Sequence, residues 1–383
     1  MVRFTLTLSM VILLAGPGFS ADVKMLVLDE ALKITLEKNR DIQKAEEYKN
    51  KVKGRYIEER SAALPQLAAT GIISRGWDAA LAPLNRYDRL ENRHVELSLS
   101  QPLFTWGQVD AAMRAAKFGI ATADDLLRLY RQAALRDVSA AFYDALLAKE
   151  FNKIARQDLD QKTKHLDETR KKFAIGVATE YDVLAAEVAV ENGQPETIRT
   201  ENLIRTSRER LRFLLGLSGQ EVDVAGQLYT PIESVAQYEE ALKQAYEKRP
   251  ELAELRNRLG LYKELVTVAG AGNKPRLDLK ATTGYRDVFL GNKDSEYDGK
   301  TWSVGLIATF PFFDGFRTKG KVAQAQSDVS SLKIEEAKTM DSISLQIRET
   351  VNAVKEAGDI ARALAGTVSQ AEKLLQMAEK GFE

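Results

Sequence analysis

The sequence predicts a mainly α fold with a β part: very long, coiled-coil-like helices joined to four antiparallel strands. Three observations carry this expectation. A helical pattern runs from Gly107 to Phe173, 67 residues, which at 1.5 Å per residue is roughly 100 Å. Four segments alternate apolar and polar residues at period two. The whole unit also occurs twice. Glu30-Ala31-Leu32-Lys33 matches Glu240-Ala241-Leu242-Lys243, and Pro65-Gln66-Leu67 matches Pro275-Arg276-Leu277, both at an offset of 210. Gln101-Pro102-Leu103-Phe104 matches Phe310-Pro311-Phe312-Phe313 at 209, and Gly107 matches Gly315 at 208. A period this long marks a duplicated half, not a solenoid repeat.

Residues 1–20 read as a signal peptide. Arg3 supplies a positive start, Phe4 to Ala15 an apolar run, and Gly18 and Ser20 small residues ahead of a cut before Ala21. The first repeat then spans 21–217 and the second 218–383. Each reads helix, strand, polar loop, strand, very long helix. In the first, a helix from Asp29 to Ala63 ends at Pro65, because proline cannot continue the backbone ladder. The long helix needs one buried stripe, and Leu135, Val138, Phe142, Ala145, Leu159, Leu166 and Phe173 supply it with sevenfold spacing. Gly193-Gln194-Pro195 interrupts the next helix and predicts a kink or short break. Gly270-Ala271-Gly272 follows a helix and precedes a strand, so it reads as a helix stop and not a dinucleotide fingerprint.

The strands are Leu67–Trp77, His94–Leu103, Arg276–Tyr285 and Trp302–Phe310. Val95, Leu97 and Leu99 share one face of the second. Leu277 and Leu279 share a face of the third, and Trp302, Val304, Leu306 and Phe310 a face of the fourth. Period-two alternation gives a sheet wet on one side, and segments near ten residues have the length of a transmembrane strand. A small soluble sheet packed on helices has the same pattern. Export and two open edges favour strands that unite with other copies, since lipid tolerates no unpaired edge. Three chains of four strands make twelve. The loops Ser74–Arg93 and Asp287–Lys300 are polar. Asp294 to Gly299 has a calcium-loop flavour, but its twelfth position is Gly305 where a bidentate Glu belongs.

Composition removes other classes. Lys plus Arg and Asp plus Glu are equal at 55 each, without the basic excess that a nucleic-acid partner needs. There are no cysteines and two histidines, His94 and His165, so disulfides, thiolate catalysis and Cys/His zinc sites fall away. No Ser-His-Asp arrangement or metal spacing occurs. An enzyme is not expected, nor is a cofactor or a metal site.

The stretch Ile175-Gly176-Val177-Ala178-Thr179 stops one helix and starts the next. Gly176 suits a left-handed helix end, and Thr179 with Asp182 forms an Asp variant of the capping box. Leu-Pro-Gln-Leu and Lys-Pro-Arg-Leu at two strand entries, Gln-Pro-Leu-Phe and Phe-Pro-Phe-Phe-Asp-Gly at two strand exits, and Ile-Gly-Val-Ala-Thr-Glu-Tyr-Asp-Val-Leu together resemble the TolC-like outer membrane efflux protein family. The resemblance covers essentially all of the mature chain. It implies a homotrimer with a twelve-stranded barrel in outer-membrane lipid and helices in the periplasm. The function it implies is an exit duct for efflux pumps or one-step secretion. It implies that Ile175, Gly176, Val177, Ala178, Thr179 and Leu184 meet a periplasmic adaptor protein, which joins the duct to an inner-membrane pump. Tyr181 and Asp182 fall where the family links neighbouring helices at the entrance. The alternatives are a periplasmic adaptor or scaffold with a long helical hairpin, and a duct that is non-functional. Phe382 lies level with Phe173 of the first repeat, so the second tip and last helix are absent from this sequence, and a duct built from it is expected to seal poorly.

Overall fold

The computed structural model describes residues 23–77, 90–228, 237–290 and 296–382. The expected signal peptide lies outside them. In chain order the elements are β1 (Lys24–Leu26), α1 (Leu28–Lys38), α2 (Arg40–Ser61), β2 (Gln66–Gly76), β3 (Leu90–Phe104), α3 (Gln108–Ala174), α4 (Glu180–Leu215), β4 (Val222–Val224), α5 (Tyr238–Lys248), α6 (Pro250–Gly270), β5 (Arg276–Leu290), β6 (Glu296–Thr309) and α7 (Arg317–Phe382). By contact the chain forms two compact units that cut across the repeats. Among the described residues, one holds those up to Asp41 and those from Gln132 to Leu228, the other those from Ile42 to Arg131 and from Gln237 onward.

The first unit is built on the α3–α4 hairpin. Its core gathers Leu26, Val138, Ala141, Phe142, Ala145, Leu211, Leu215, Val222 and Val224, where the parallel pair β1–β4 lies against the hairpin. Asp223 of β4 fixes that pair to both helices. It accepts from Arg208 Nε at 3.0 Å and Nη2 at 2.7 Å, and Lys149 Nζ lies 2.8 Å away. Along the hairpin the seam keeps its sevenfold rhythm but changes character. Ala145, Ala148, Asn152, Ala155, Leu166 and Thr169 of α3 are buried, as are Ala186, Gly193 and Thr200 of α4. Small residues let two backbones approach closely. Of the expected stripe, Val138, Phe142, Ala145 and Leu166 are buried, Leu135 and Leu159 partly so, and Phe173 is exposed beside the tip.

Three expectations about helix continuity need correction or completion. The helix expected from Asp29 to Ala63 is two helices, broken at Asn39, which is extended at φ −62° and ψ 128°. Asn39 Oδ1 accepts the Asp41 amide at 3.0 Å, and its Nδ2 donates to the Leu214 carbonyl at 2.7 Å. One side chain thus caps the start of α2 and satisfies the end of α4. The break recurs 210 residues later at Arg249, φ −68° and ψ 127°, where Pro250 opens α6 instead. At Gly193-Gln194-Pro195 the helix continues without a break. The stop at Gly270 is found as expected, followed by a turn of 3-10 helix, Ala271–Asn273.

The second unit contains the four-stranded sheet, in order β2-β3-β5-β6 and antiparallel throughout. Pro102 lies in β3 beside a register shift between Pro102 and Phe104, the kind of bulge at which a strand tolerates proline. Three of the four strands, β3, β5 and β6, are longer than expected. The ladder between β5 and β6 still holds Asp287 opposite Asp298 and Phe289 opposite Glu296, so most of the expected Asp287–Lys300 loop is strand. Asp298 of the calcium-like stretch takes the Tyr285 hydroxyl; Asp294 lies outside the described residues. Below the sheet, α6 and α5 pack on α7 around Ala245, Leu252 and Ile343.

Each strand pair enters its long helix through two consecutive left-handed residues: Trp106 (φ 48°) and Gly107 (φ 74°), then Gly315 (φ 65°) and Phe316 (φ 64°). The helices start at Gln108 and Arg317, so the structural offset is 209. Gly107 therefore corresponds to Phe316, not to Gly315 as the sequence match has it. The turn is duplicated, with glycine and aromatic exchanged.

Candidate functional site

The strand face and the helical tip are the two candidate sites. Register assembles the first. Leu67 faces Leu99, Ala69 faces Leu97 and Gly71 faces Val95. Leu99, Leu97 and Val95 face Ala281, Thr283 and Tyr285, and these continue to Val304, Trp302 and Lys300. Leu279 faces Leu306, and beyond the bulge Phe104 faces Leu277. Side chains on one parity of all four strands therefore make a nearly continuous apolar surface. Trp302 is 78% exposed, Val304 65%, Leu306 63% and Val95 65%. Leu97 is exposed, while Leu99, Leu277 and Leu279 are half-buried among their neighbours. Phe310 is exposed just past the end of β6. Exposed apolar surface on this scale marks a face meant for another apolar phase.

The opposite parity is mainly polar: Ser98, Glu96 and His94 on β3, Lys280, Thr282 and Arg286 on β5, Thr301 and Ser303 on β6, with Ala68, Ile72 and Ile307 among them. Thr282 and Ser303 join their hydroxyls at 2.9 Å. The sheet ends in two edges, β2 and β6.

The apolar face has limits that single-strand reading missed. Above Val95 it gives way to ion pairs, Arg75 with Glu91 at 2.7 Å and Arg93 with Asp287 at 3.4 Å. Phe104 and Phe310 lie at its lower border, and below it sit the exposed aromatics Trp106, Phe312, Phe313 and Phe316. Phe104 stacks edge-on to Trp106 with centroids 5.4 Å apart, and Phe313 on Phe316 at 5.8 Å. From Val95 to Phe104 is about 30 Å along the strand at ~3.3 Å per residue. With a tilt near 40° that is a band roughly 23–25 Å tall, the height of a lipid-facing barrel band. Leu67, Ile73 and Tyr285 belong to this face too. Cross-strand parity, applied to β2 and to the end of β5, was the signal that would have found them.

The tip is closed by two caps in succession. The Val177 amide donates to the Lys172 carbonyl at 2.9 Å and the Gly176 amide to Phe173 at 2.9 Å, a Schellman motif with Gly176 left-handed at φ 78°. Thr179 then begins α4. Its Oγ1 accepts the Asp182 amide at 3.2 Å, and Asp182 Oδ2 accepts the Thr179 amide at 2.8 Å and its hydroxyl at 2.7 Å. That hydroxyl and amide hold the Asp182 carboxyl below its usual range. Within the chain Asp182 is thus occupied with its own helix start. Backbone needs are met with few side chains, which leaves Ile175 (76%), Val177 (71%), Tyr181 (78%) and Leu184 (58%) presented to solvent.

Among the described residues no helix is long and apolar enough to cross a membrane, and no cluster of His, Cys, Asp or Glu could hold a metal ion.

The chain matches the family model for outer membrane efflux protein over residues 31–217 and 241–383. It is 27% identical over 337 residues to the alkaline protease secretion protein AprF of Pseudomonas aeruginosa, covering 84% of this chain and 68% of that protein. It is 22% identical over 336 residues to the outer membrane protein TolC of Vibrio cholerae, covering 85% and 73%. Among solved structures, a membrane protein from Pseudomonas aeruginosa superposes with a TM-score of 0.75 at 23% identity, over 92% of this chain and 84% of that one. The outer membrane protein VceC of Vibrio cholerae gives 0.74 at 17% identity, over 92% and 85%.

Proposed function

We propose a function from one premise: this chain belongs to the outer membrane efflux protein family. It is an outer-membrane channel protein of the efflux and secretion type, with its helices in the periplasm. Three copies, each giving four strands, close a twelve-stranded barrel around water. The supporting observation is the sheet itself. It has a nearly continuous apolar face, a mainly polar reverse and two unpaired edges, and in lipid that combination is stable only when closed. Val95, Leu97, Leu99, Leu277, Leu279, Trp302, Val304, Leu306 and Phe310 face lipid, the aromatics below them sit at the inner interface, and the polar reverse lines the duct.

The tip is the docking end. Ile175, Gly176, Val177, Ala178, Thr179 and Leu184 form an apolar, rigidly capped knob for a periplasmic adaptor, which links the duct to an inner-membrane pump. Tyr181 contacts the neighbouring copy at the entrance. The pump selects the cargo, so the substrate is not assigned.

The test places the sheet. A variant retaining Trp302 as its single tryptophan is expected in the outer-membrane fraction as heat-modifiable trimers, with fluorescence quenched by brominated lipid. A protein that stays monomeric and soluble without detergent, with Trp302 unquenched, would defeat this reading.

A further inference from the structure

The hairpin holds a soft point that the duct reading alone does not require. Three features of α4 converge within eight residues. Pro195 lies inside the helix and has no amide to give the Glu191 carbonyl. Gly193 is buried against α3: a β-carbon there would sit 3.2 Å from Leu159 Cδ1 and 3.5 Å from Lys162 Cδ. Thr197 and Thr200 turn their hydroxyls back onto backbone carbonyls, Thr197 to Gly193 at 3.5 Å and Thr200 to Glu196 at 3.0 Å. Such back-bonding bends helices. At the same level of α3, Thr163 does likewise to Leu159 at 2.8 Å.

The polar ties between the two helices flank this level. On one side Asn152 Nδ2 donates to Thr200 Oγ1 at 3.0 Å within the seam, and Arg156 meets Glu201 at 2.7 Å. On the tip side Arg170 meets Glu187 at 2.8 Å. Among the described residues no hydrogen bond or ion pair joins α3 to α4 between these ties.

We propose that Gly193-Gln194-Pro195 is a hinge. The proximal coiled coil stays fixed by Asn152–Thr200 and Arg156–Glu201. The distal hairpin, held together by Arg170–Glu187 and the tip caps, swings on it as one piece: α4 bends at the missing hydrogen bond while α3 curves. The purpose assigned to this swing, widening the entrance that the tips enclose, rests on the duct reading; the hinge itself does not.

Hydrogen exchange on the detergent-solubilised chain reads the hinge whether or not it assembles. Amides of residues 192–199 are expected to exchange roughly tenfold faster than those of 183–190 and 203–211. Pro195→Ala restores the amide at an exposed site and is expected to close most of that gap. A spin-label pair at Glu180 and Glu209, introduced as cysteines into a chain that has none, should give a broad distance distribution that narrows in Pro195→Ala. Uniform protection along α4, or no change in Pro195→Ala, overturns the hinge. A Gly193→Ala variant as mobile as wild type, beside a rigid Pro195→Ala, assigns the bending to the proline alone and sustains it. Loss of trimers with the exchange pattern intact would fault the duct reading and leave the hinge standing.

Discussion

Helices α3 and α7 carry the same seam at an offset of 209: Val138, Ala145, Leu159 and Leu166 correspond to Ile347, Val354, Val368 and Leu375. In α3 the seam is covered by α4, and Leu166 is 7% exposed. In α7 the half nearer the strands is covered by α5 and α6, with Leu332 at 8% and Ile343 at 2% exposure. Farther along, Val354, Leu364, Val368 and Leu375 are 48–59% exposed. A sevenfold stripe therefore states what a helix can bury. The partner decides whether it does, and the partner of α3 is distinctive for the small Ala186, Gly193 and Thr200 that let it close in.

The largest expected effect tests that difference directly. Leu166→Ala should cost about 2–4 kcal/mol in the unfolding free energy of the solubilised chain, because it leaves a cavity in a closed seam. Leu375→Ala, at the matching position, should fall within about 0.5 kcal/mol of wild type. Denaturant titration followed by circular dichroism measures both. Equal costs would mean that a neighbouring molecule covers α7 in the assembled protein.

A smaller effect concerns the end of α3, where the chain reverses. Thr179→Ala removes the acceptor for the Asp182 amide and should cost about 1 kcal/mol, visible as faster exchange of the first amides of α4. The side chains proposed to dock the adaptor stay in place in this variant. Weaker adaptor binding with unchanged Ile175 and Val177 would then show that tip rigidity contributes to docking, and full binding would show that the apolar residues suffice.

The architecture was legible because its signals are long. Sixty-seven residues of helical rhythm and alternation over four strands do not depend on any one residue. The tip was legible too, because Gly176, Thr179 and Asp182 act through neighbours in sequence. What stayed hidden depends on contacts distant in the chain. The break at Asn39 is tied to the end of α4 by a bond to Leu214, 175 residues away. The limits of the apolar face come from pairs such as Arg93–Asp287, which exist only once register is set. Gly107 was matched to Gly315 by identity, whereas the backbone aligns it with Phe316. Conformation was duplicated there while residue type was not.

The smallest effect belongs to the covered half of α7 and its fastening to α6. Arg258 lies 2.6 Å from Glu335 of α7 and 3.6 Å from Glu254 on its own helix, and Arg256 lies 3.6 Å from Glu336. Asn257 ties the same level to Asp125 of α3 at 2.8 Å, where Arg128 also binds. Burial pushes the Glu254 carboxyl above its usual range; Arg258 opposes this, and Glu335 and Asp125 add to it. The folded chain thus holds this proton more tightly than the unfolded one. Its contribution to stability is present below the ordinary glutamate pKa and is lost as pH rises through the raised value. Unfolding free energies compared from about pH 4 to about pH 8 should fall more steeply for wild type than for Glu254→Gln, which keeps the shape and cannot ionise. Equal slopes would mean that water reaches Glu254, and that α7 is no better enclosed near the strands than along its exposed stripe.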